Sequence, residues 1–137
     1  MAAPGPGRPR GRNTVKQRVV FDVLAESDRF RSAQQVYLDI RQRSSVRIGL
    51  TTVYRILHAL ADDSVAETQR AEDGETLYRL RASGEHRHYL VCRRCGRAEA
   101  FTPVALEACT GELPARHRFT DVTHHIDVYG ICPQCRS

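Results

Sequence analysis

Two Cys-x-x-Cys turns carry the plainest chemistry in this chain. Cys92-x-x-Cys95 and Cys132-x-x-Cys135 stand in its last third, with His86-x-His88 just upstream of the first turn. Two such turns supply four thiolates, which is what a tetrahedral structural zinc requires. Two imidazoles one residue apart on a strand point to one face and can grip a second metal. Disulfides or free thiols are the alternative for the cysteines. Met1 to Arg12 is rich in Pro, Gly and Arg without an apolar core, unlike an export signal. That favours metal ligation in a cytoplasmic protein over disulfides.

A second constellation is His86, His88, Glu107 and His124. Three imidazoles and a carboxylate suit zinc, and equally Fe(II), Mn(II), Co(II) or Ni(II). Surface histidines are the plain alternative. His124 and His125 alternate across a predicted strand, so at most one of them faces such a site. Cys109 has no nearby partner and reads as a small buried hydrophobe. A third group is Gly49-Leu50-Thr51-Thr52-Val53-Tyr54-Arg55. Thr, Tyr and Arg near a helix N-terminus can meet phosphates, thymine methyls and guanine edges, although an ordinary amphipathic helix has the same outline.

The elements that position these groups follow from periodicity. Thr14 to Glu26 repeats apolar residues at helical spacing, with Asn13 or Thr14 as its cap. Ser32 and Gln35 form a capping box for a second helix through Val36, Leu38 and Ile40. A third helix starts near Leu50, with Gly49 and Thr51 at its N-terminus. It places Val53, Ile56, Leu57, Leu60 and Ala61 on one face. Val65–Gln69 and Thr76–Leu80 flank Asp73-Gly74 and predict a hairpin. Three helices and a hairpin make a winged helix-turn-helix, which seats a helix in the major groove and its wing on the backbone. Beyond a small-residue hinge, Tyr89–Cys92 and Arg97–Phe101 read as strands. Pro103–Leu113 reads as a helix that Pro114 ends, and Thr120–Tyr129 as a last strand. The expected fold is α+β. Residues 1–12 form a flexible basic arm, 13–81 a winged-helix DNA-binding domain, 82–88 a hinge, and 89–137 an α/β metal-binding domain, which a family resemblance further implies to be the dimerisation domain.

The chain has 137 residues and a net charge of +5. The excess is N-terminal: Arg8, Arg10, Arg12, Lys16 and Arg18 precede the first acid, as on a nucleic-acid-binding end or a solvated tail. No apolar run reaches membrane-spanning length. A chain this small buries a modest fraction of its surface and gains from a zinc staple.

Taken together, Gly49 to Arg55, Asp73-Gly74-Glu75, Gly84 through Gly96 and Tyr129 through Cys135 resemble the ferric uptake regulator (Fur) family, and within it the zinc uptake regulators. The likeness spans about residues 13–136, and its order and spacing are specific. It implies a cytoplasmic homodimer that binds AT-rich palindromic double-stranded operators and represses metal-homeostasis genes. By that likeness Cys92, Cys95, Cys132 and Cys135 hold structural Zn2+, and His86, His88, Glu107 and His124 form a second, regulatory site. Arg18, Thr51, Thr52, Tyr54 and Arg55 meet DNA. One departure stands out. Family members of this kind usually carry a further sensing site at the hinge. The corresponding positions here are Glu67, Arg81, Arg87 and Tyr89, of which only Glu67 is a metal ligand by type. The histidine sometimes contributed before the second helix is also missing, since Arg29, Phe30 and Arg31 stand there. Arg81 or Arg87 paired with Glu67 could stand in for the metal charge.

Rival readings are a same-fold regulator of iron, nickel or peroxide, a zinc hydrolase, and a zinc-stapled interaction module. A hydrolase needs an open zinc position and a base in a pocket, and no further carboxylate motif marks one. The expectation is therefore a non-enzymatic regulator with no small-molecule substrate and no membrane partner.

Overall fold

The computed structural model describes residues 14–82 and 88–136. The basic arm at 1–12 and the residues His86 and Arg87 lie outside them. The helices α1 (Thr14–Ala25), α2 (Ala33–Arg43) and α3 (Leu50–Asp62) pack together, and a short strand β1 (Arg31–Ser32) precedes α2. The hairpin β2 (Ala66–Arg70) and β3 (Thr76–Leu80) follows, and β1 adds to its edge in the order β1-β3-β2. At Gly74 the backbone takes φ +90°, the left-handed turn conformation that favours glycine.

Burial explains this part. Val20, Leu24, Val36, Ile40, Val53, Leu57 and Leu60 form one core with Tyr78 from the wing. Each fully buried aliphatic side chain contributes about 1.5–3 kcal/mol. The capping box is present: Gln35 donates its backbone N–H to the Ser32 hydroxyl, while the Gln35 side chain accepts from the Ser32 backbone. Buried Arg31 donates to the carbonyls of Val23 and Leu24, at 2.8 and 3.0 Å, and to Asp39 at 2.7 Å. One guanidinium thus satisfies the C-terminal carbonyls of α1 and ties that helix to α2.

The second unit holds β4 (His88–Cys92), β5 (Ala98–Phe101), α4 (Val104–His117), β6 (Asp127–Gly130) and the short α5 (Pro133–Arg136). Its sheet has the order β5-β4-β6, with β4 antiparallel to β5 and parallel to β6. A smaller core of Phe30, Tyr89 and Val91 lies at the seam between the units, with Leu77, Ala98 and Tyr129 packed on it.

Three expectations need correction here. Pro114 does not end α4. It lies inside a helix that runs to His117 and stops at Arg118, whose φ of +58° is left-handed. The helix has no buried residue, and the proline ring costs only one ladder bond there. The last strand is short. Thr120 to Ile126 is not strand, and Asp121 has φ +56°, because pairing with β4 begins only at Asp127. Cys109 is exposed rather than buried, on a helix none of whose residues is buried among the described ones.

Candidate metal centres and nucleic-acid surface

The first knuckle begins where β4 ends. Cys92 N–H donates to the Arg97 carbonyl at 2.8 Å and Gly96 N–H to the Cys92 carbonyl at 3.1 Å, which closes the Cys92–Cys95 turn. Gly96 takes φ +77°, and a Cβ there would stand 2.0 Å from the Phe30 carbonyl oxygen. Glycine is therefore required by both the turn and the seam. The second knuckle caps β6. Cys135 N–H donates to the Cys132 carbonyl at 3.0 Å, and Arg93 N–H reaches the Gly130 carbonyl at 2.8 Å, which holds the two turns side by side.

The four sulfurs come within 4.8 Å of one another. Cys95 Sγ and Cys132 Sγ are 3.7 Å apart. Thiolates bound at about 2.3 Å in a tetrahedron stand about 3.8 Å apart, whereas a disulfide bond is about 2.05 Å. The spacing fits a tetrahedral metal and not that disulfide. Burial pushes the Cys92 thiol up, but hydrogen bonds from the backbone of Cys132, Cys95 and Arg94 outweigh it and bring it down to about 6. Cys135 is pushed up to about 12, chiefly by its hydrogen bond to Cys132. Crowding of the sulfurs sets their ionisations against one another, and a divalent cation would relieve it.

The second cluster is His88, Glu107 and His124. His88 opens β4, Glu107 sits in the first turn of α4, and His124 lies in the irregular segment before β6 rather than on a strand. Glu107 Oε1 contacts His88 Nε2 and stands 3.1 Å from His124 Nε2. The imidazole rings are 5.3 Å apart. Hydrogen bonds from His88 and His124 hold the Glu107 carboxyl below its usual range, against some desolvation. Two imidazoles converging on one carboxylate oxygen fit a divalent metal by donor type and by spacing. His125 is exposed, while His124 is half-buried.

The polar face of α3 carries exposed Thr51, Tyr54 and Arg55 and half-buried Thr52. Gly49 caps the helix without a side-chain hydrogen bond, which leaves first-turn N–H groups open to an anion. Arg18, on α1, pairs with Asp22 at 3.3 Å in solvent. The end of α2 adds exposed Arg41, and the turn to α3 adds exposed Arg47, around a cleft with Tyr37, Ser44 and Gly49. Sequence reasoning missed both arginines, and their closeness in the chain to the third helix was the available signal.

The wing departs from expectation. Its tip is acidic, with Glu72, Asp73 and Glu75, a poor match for phosphate. It leans instead on the second unit: Glu72 pairs with Arg93, and Gln69 donates to Asp127 at 2.9 Å. The expected partner of Glu67 also differs. Arg79 meets its carboxylate at 2.6 Å, and the Tyr89 hydroxyl donates to the same oxygen at 3.0 Å; Arg87 lies outside the described residues.

A winged helix joined to a small α/β unit with two metal-ligand clusters defines the class. The family model described as the ferric uptake regulator family matches residues 10–129, and the chain belongs to that family. It is 41% identical over 128 residues to the zinc uptake regulation protein of Mycobacterium tuberculosis, covering 93% of this chain and 97% of that one. Among solved structures, FurB of M. tuberculosis, described as a zinc uptake regulator, shares 39% identity over 90% of this chain and 94% of its own, with a TM-score of 0.51. The Vibrio cholerae ferric uptake regulator aligns at 26% identity over 88% and 92% of the two chains, with a TM-score of 0.68.

Proposed function

We propose that the protein is a metal-responsive, DNA-binding transcriptional repressor of metal-homeostasis genes, with zinc as its metal. It acts as a homodimer on a palindromic operator. The observation that carries the reading is the pairing of an outward polar helix face, Thr51 to Arg55, with a three-ligand cluster whose members come from β4, α4 and the segment before β6. Zinc is supported by the four-sulfur spacing and by the printed names of the M. tuberculosis relatives. The division into an arm, a winged-helix domain, a hinge and a dimerisation domain belongs to this proposal, as do the site assignments.

Cys92, Cys95, Cys132 and Cys135 would hold the structural ion. His88, Glu107 and His124 would hold the regulatory one, with His86 as a fourth ligand. A divalent ion there supplies a cross-link among segments that packing alone joins loosely. The residues do the rest. His88 opens the strand that follows the hinge, so fixing its ring against Glu107 restricts how the winged unit is carried. A dimer must present two recognition helices at half-site spacing, and that restriction becomes operator affinity. Tyr54, Arg55, Thr51 and Thr52 face the groove, and Arg18 meets the backbone.

Self-association is supported by α4, which has no buried residue among the described ones. Val104 is 72% exposed, and Leu106, Leu113, Phe119 and Val128 are exposed as well. Large apolar side chains left in solvent in this number fit a self-association face.

The test is a fluorescence-anisotropy titration of an AT-rich palindromic duplex with zinc, Fe(II), Ni(II) and Mn(II), and after mild chelation. Zinc-dependent binding that weakens steeply with salt is the expected result. Equal binding with and without every metal, or no duplex preference over random DNA, would overturn the reading.

A further inference from the structure

We infer that Arg79 is a positioning residue: a built-in cation that latches the winged unit to the C-terminal sheet without a metal. Arg79 stands opposite Glu67 across the β2–β3 ladder. Its Nε donates to Glu67 at 2.6 Å and its Nη1 to the Asp28 carbonyl at 3.1 Å. The guanidinium carbon lies 4.5 Å from the ring centroids of both Phe30 and Tyr89. The two rings meet edge to face, 5.4 Å apart. One planar cation therefore touches the wing, the loop before β1 and the strand β4 of the other sheet.

The chemistry favours arginine here. The Arg79 and Glu67 side chains are 11% and 17% exposed. A pair this enclosed is costly unless its remaining donors and acceptors are met. The Glu67 carboxylate, the Asp28 carbonyl and the Phe30 ring lie within the winged unit, and the Tyr89 hydroxyl and ring complete the set only while the units are closed. Opening the seam removes Tyr89 and admits water to the pair. Guanidinium stacks on rings and forks to oxygen in one plane, which an ammonium cannot do.

The latch and the metal cluster share a strand and border one cleft, which Glu67, Tyr89, His88 and His124 line. Their contacts nevertheless diverge. His88 and Tyr89 are neighbours on β4, so their side chains leave opposite faces. His88 turns to Glu107 and Tyr89 to Glu67. The contacts of Arg79 include no residue of the metal cluster, so the latch closes the seam whether or not the His88 side is filled.

Hydrogen exchange at the Phe30 amide reads the seam directly, because that N–H donates to the Gly96 carbonyl at 2.9 Å across it. The full-length protein is compared by NMR with zinc in excess and after mild chelation that leaves the four-cysteine ion. Wild-type Phe30 stays protected in both states. Arg79→Lys and Arg79→Gln raise its exchange rate about 10-fold or more, while the Val53 and Leu57 amides of the winged core are unchanged. Unchanged Phe30 exchange in both variants overturns the latch, as does loss of wild-type protection on chelation alone. If the core amides also lose protection, the arginine variants report unfolding and Tyr89→Phe decides. Faster Phe30 exchange there supports the latch, and unchanged exchange overturns it. DNA plays no part in this readout, so its outcome is separate from that of the proposed repressor function.

Discussion

Arg55 and Tyr54 sit one turn into α3, and Tyr54 is 41% exposed with no core role. Arg55→Ala should therefore weaken operator binding by about 1–3 kcal/mol, as a lost arginine–guanine pairing does. Anisotropy titration measures the loss, and the melting temperature should stay within about a degree because the side chain is exposed. At the second cluster, acid matters in a definite direction. Glu107 is held below the ordinary carboxylate range by His88 and His124. Its contribution is present above that ordinary value and lost only as pH falls through the lowered one. Metal ligation needs deprotonated donors, so acid weakens metal retention. Chelator competition across pH should show affinity falling on acidification. Glu107→Gln should remove that ion and leave the cysteine-bound one.

At the scale of elements, Gly96 joins two demands that no other residue meets. Its φ is +77°, and the Phe30 carbonyl leaves no room for a Cβ. Gly96→Ala should destabilise the protein by more than about 1 kcal/mol and loosen the first knuckle. Chemical denaturation with a parallel measure of zinc retention checks both effects. The wing is the other telling element. Its register and its Gly74 turn are those of a hairpin, yet its acidic tip rests against Arg93 instead of presenting cations to phosphate. A strand pattern in sequence specifies that a hairpin forms, and not what it lies on.

For the whole molecule, α4 is the decisive feature, since none of its residues is buried and Val104, Leu106 and Leu113 stand exposed among the described residues. Leu106→Asp should place a charge in the self-association face and shift the protein from dimer to monomer at micromolar concentration, as read by sedimentation velocity. Operator affinity should fall with it, because two half-sites are then engaged independently. A variant that remains dimeric with unchanged affinity would remove α4 from the interface.

What the sequence determined by itself is what local chemistry enforces. The helical periods of α1 to α3, the Ser32–Gln35 box, the Asp-Gly hairpin and the paired Cys-x-x-Cys turns each involve residues close enough in the chain to act on one another directly. On the residues alone the cluster around Glu107 stood level with surface histidines, and the family likeness decided for it, because its members are spread from β4 to the segment before β6. Tertiary structure alone decided the rest. Pro114 sits within α4 because that helix lies on the surface, and β6 is short because β4 offers no partner before Asp127. Cys109 is exposed because it stands on a helix that buries no residue among the described ones. Arg79 was chosen over its neighbours because the wing, the loop before β1 and β4 close around that one position. Such choices depend on which distant segments share a desolvated space, and no local pattern encodes that.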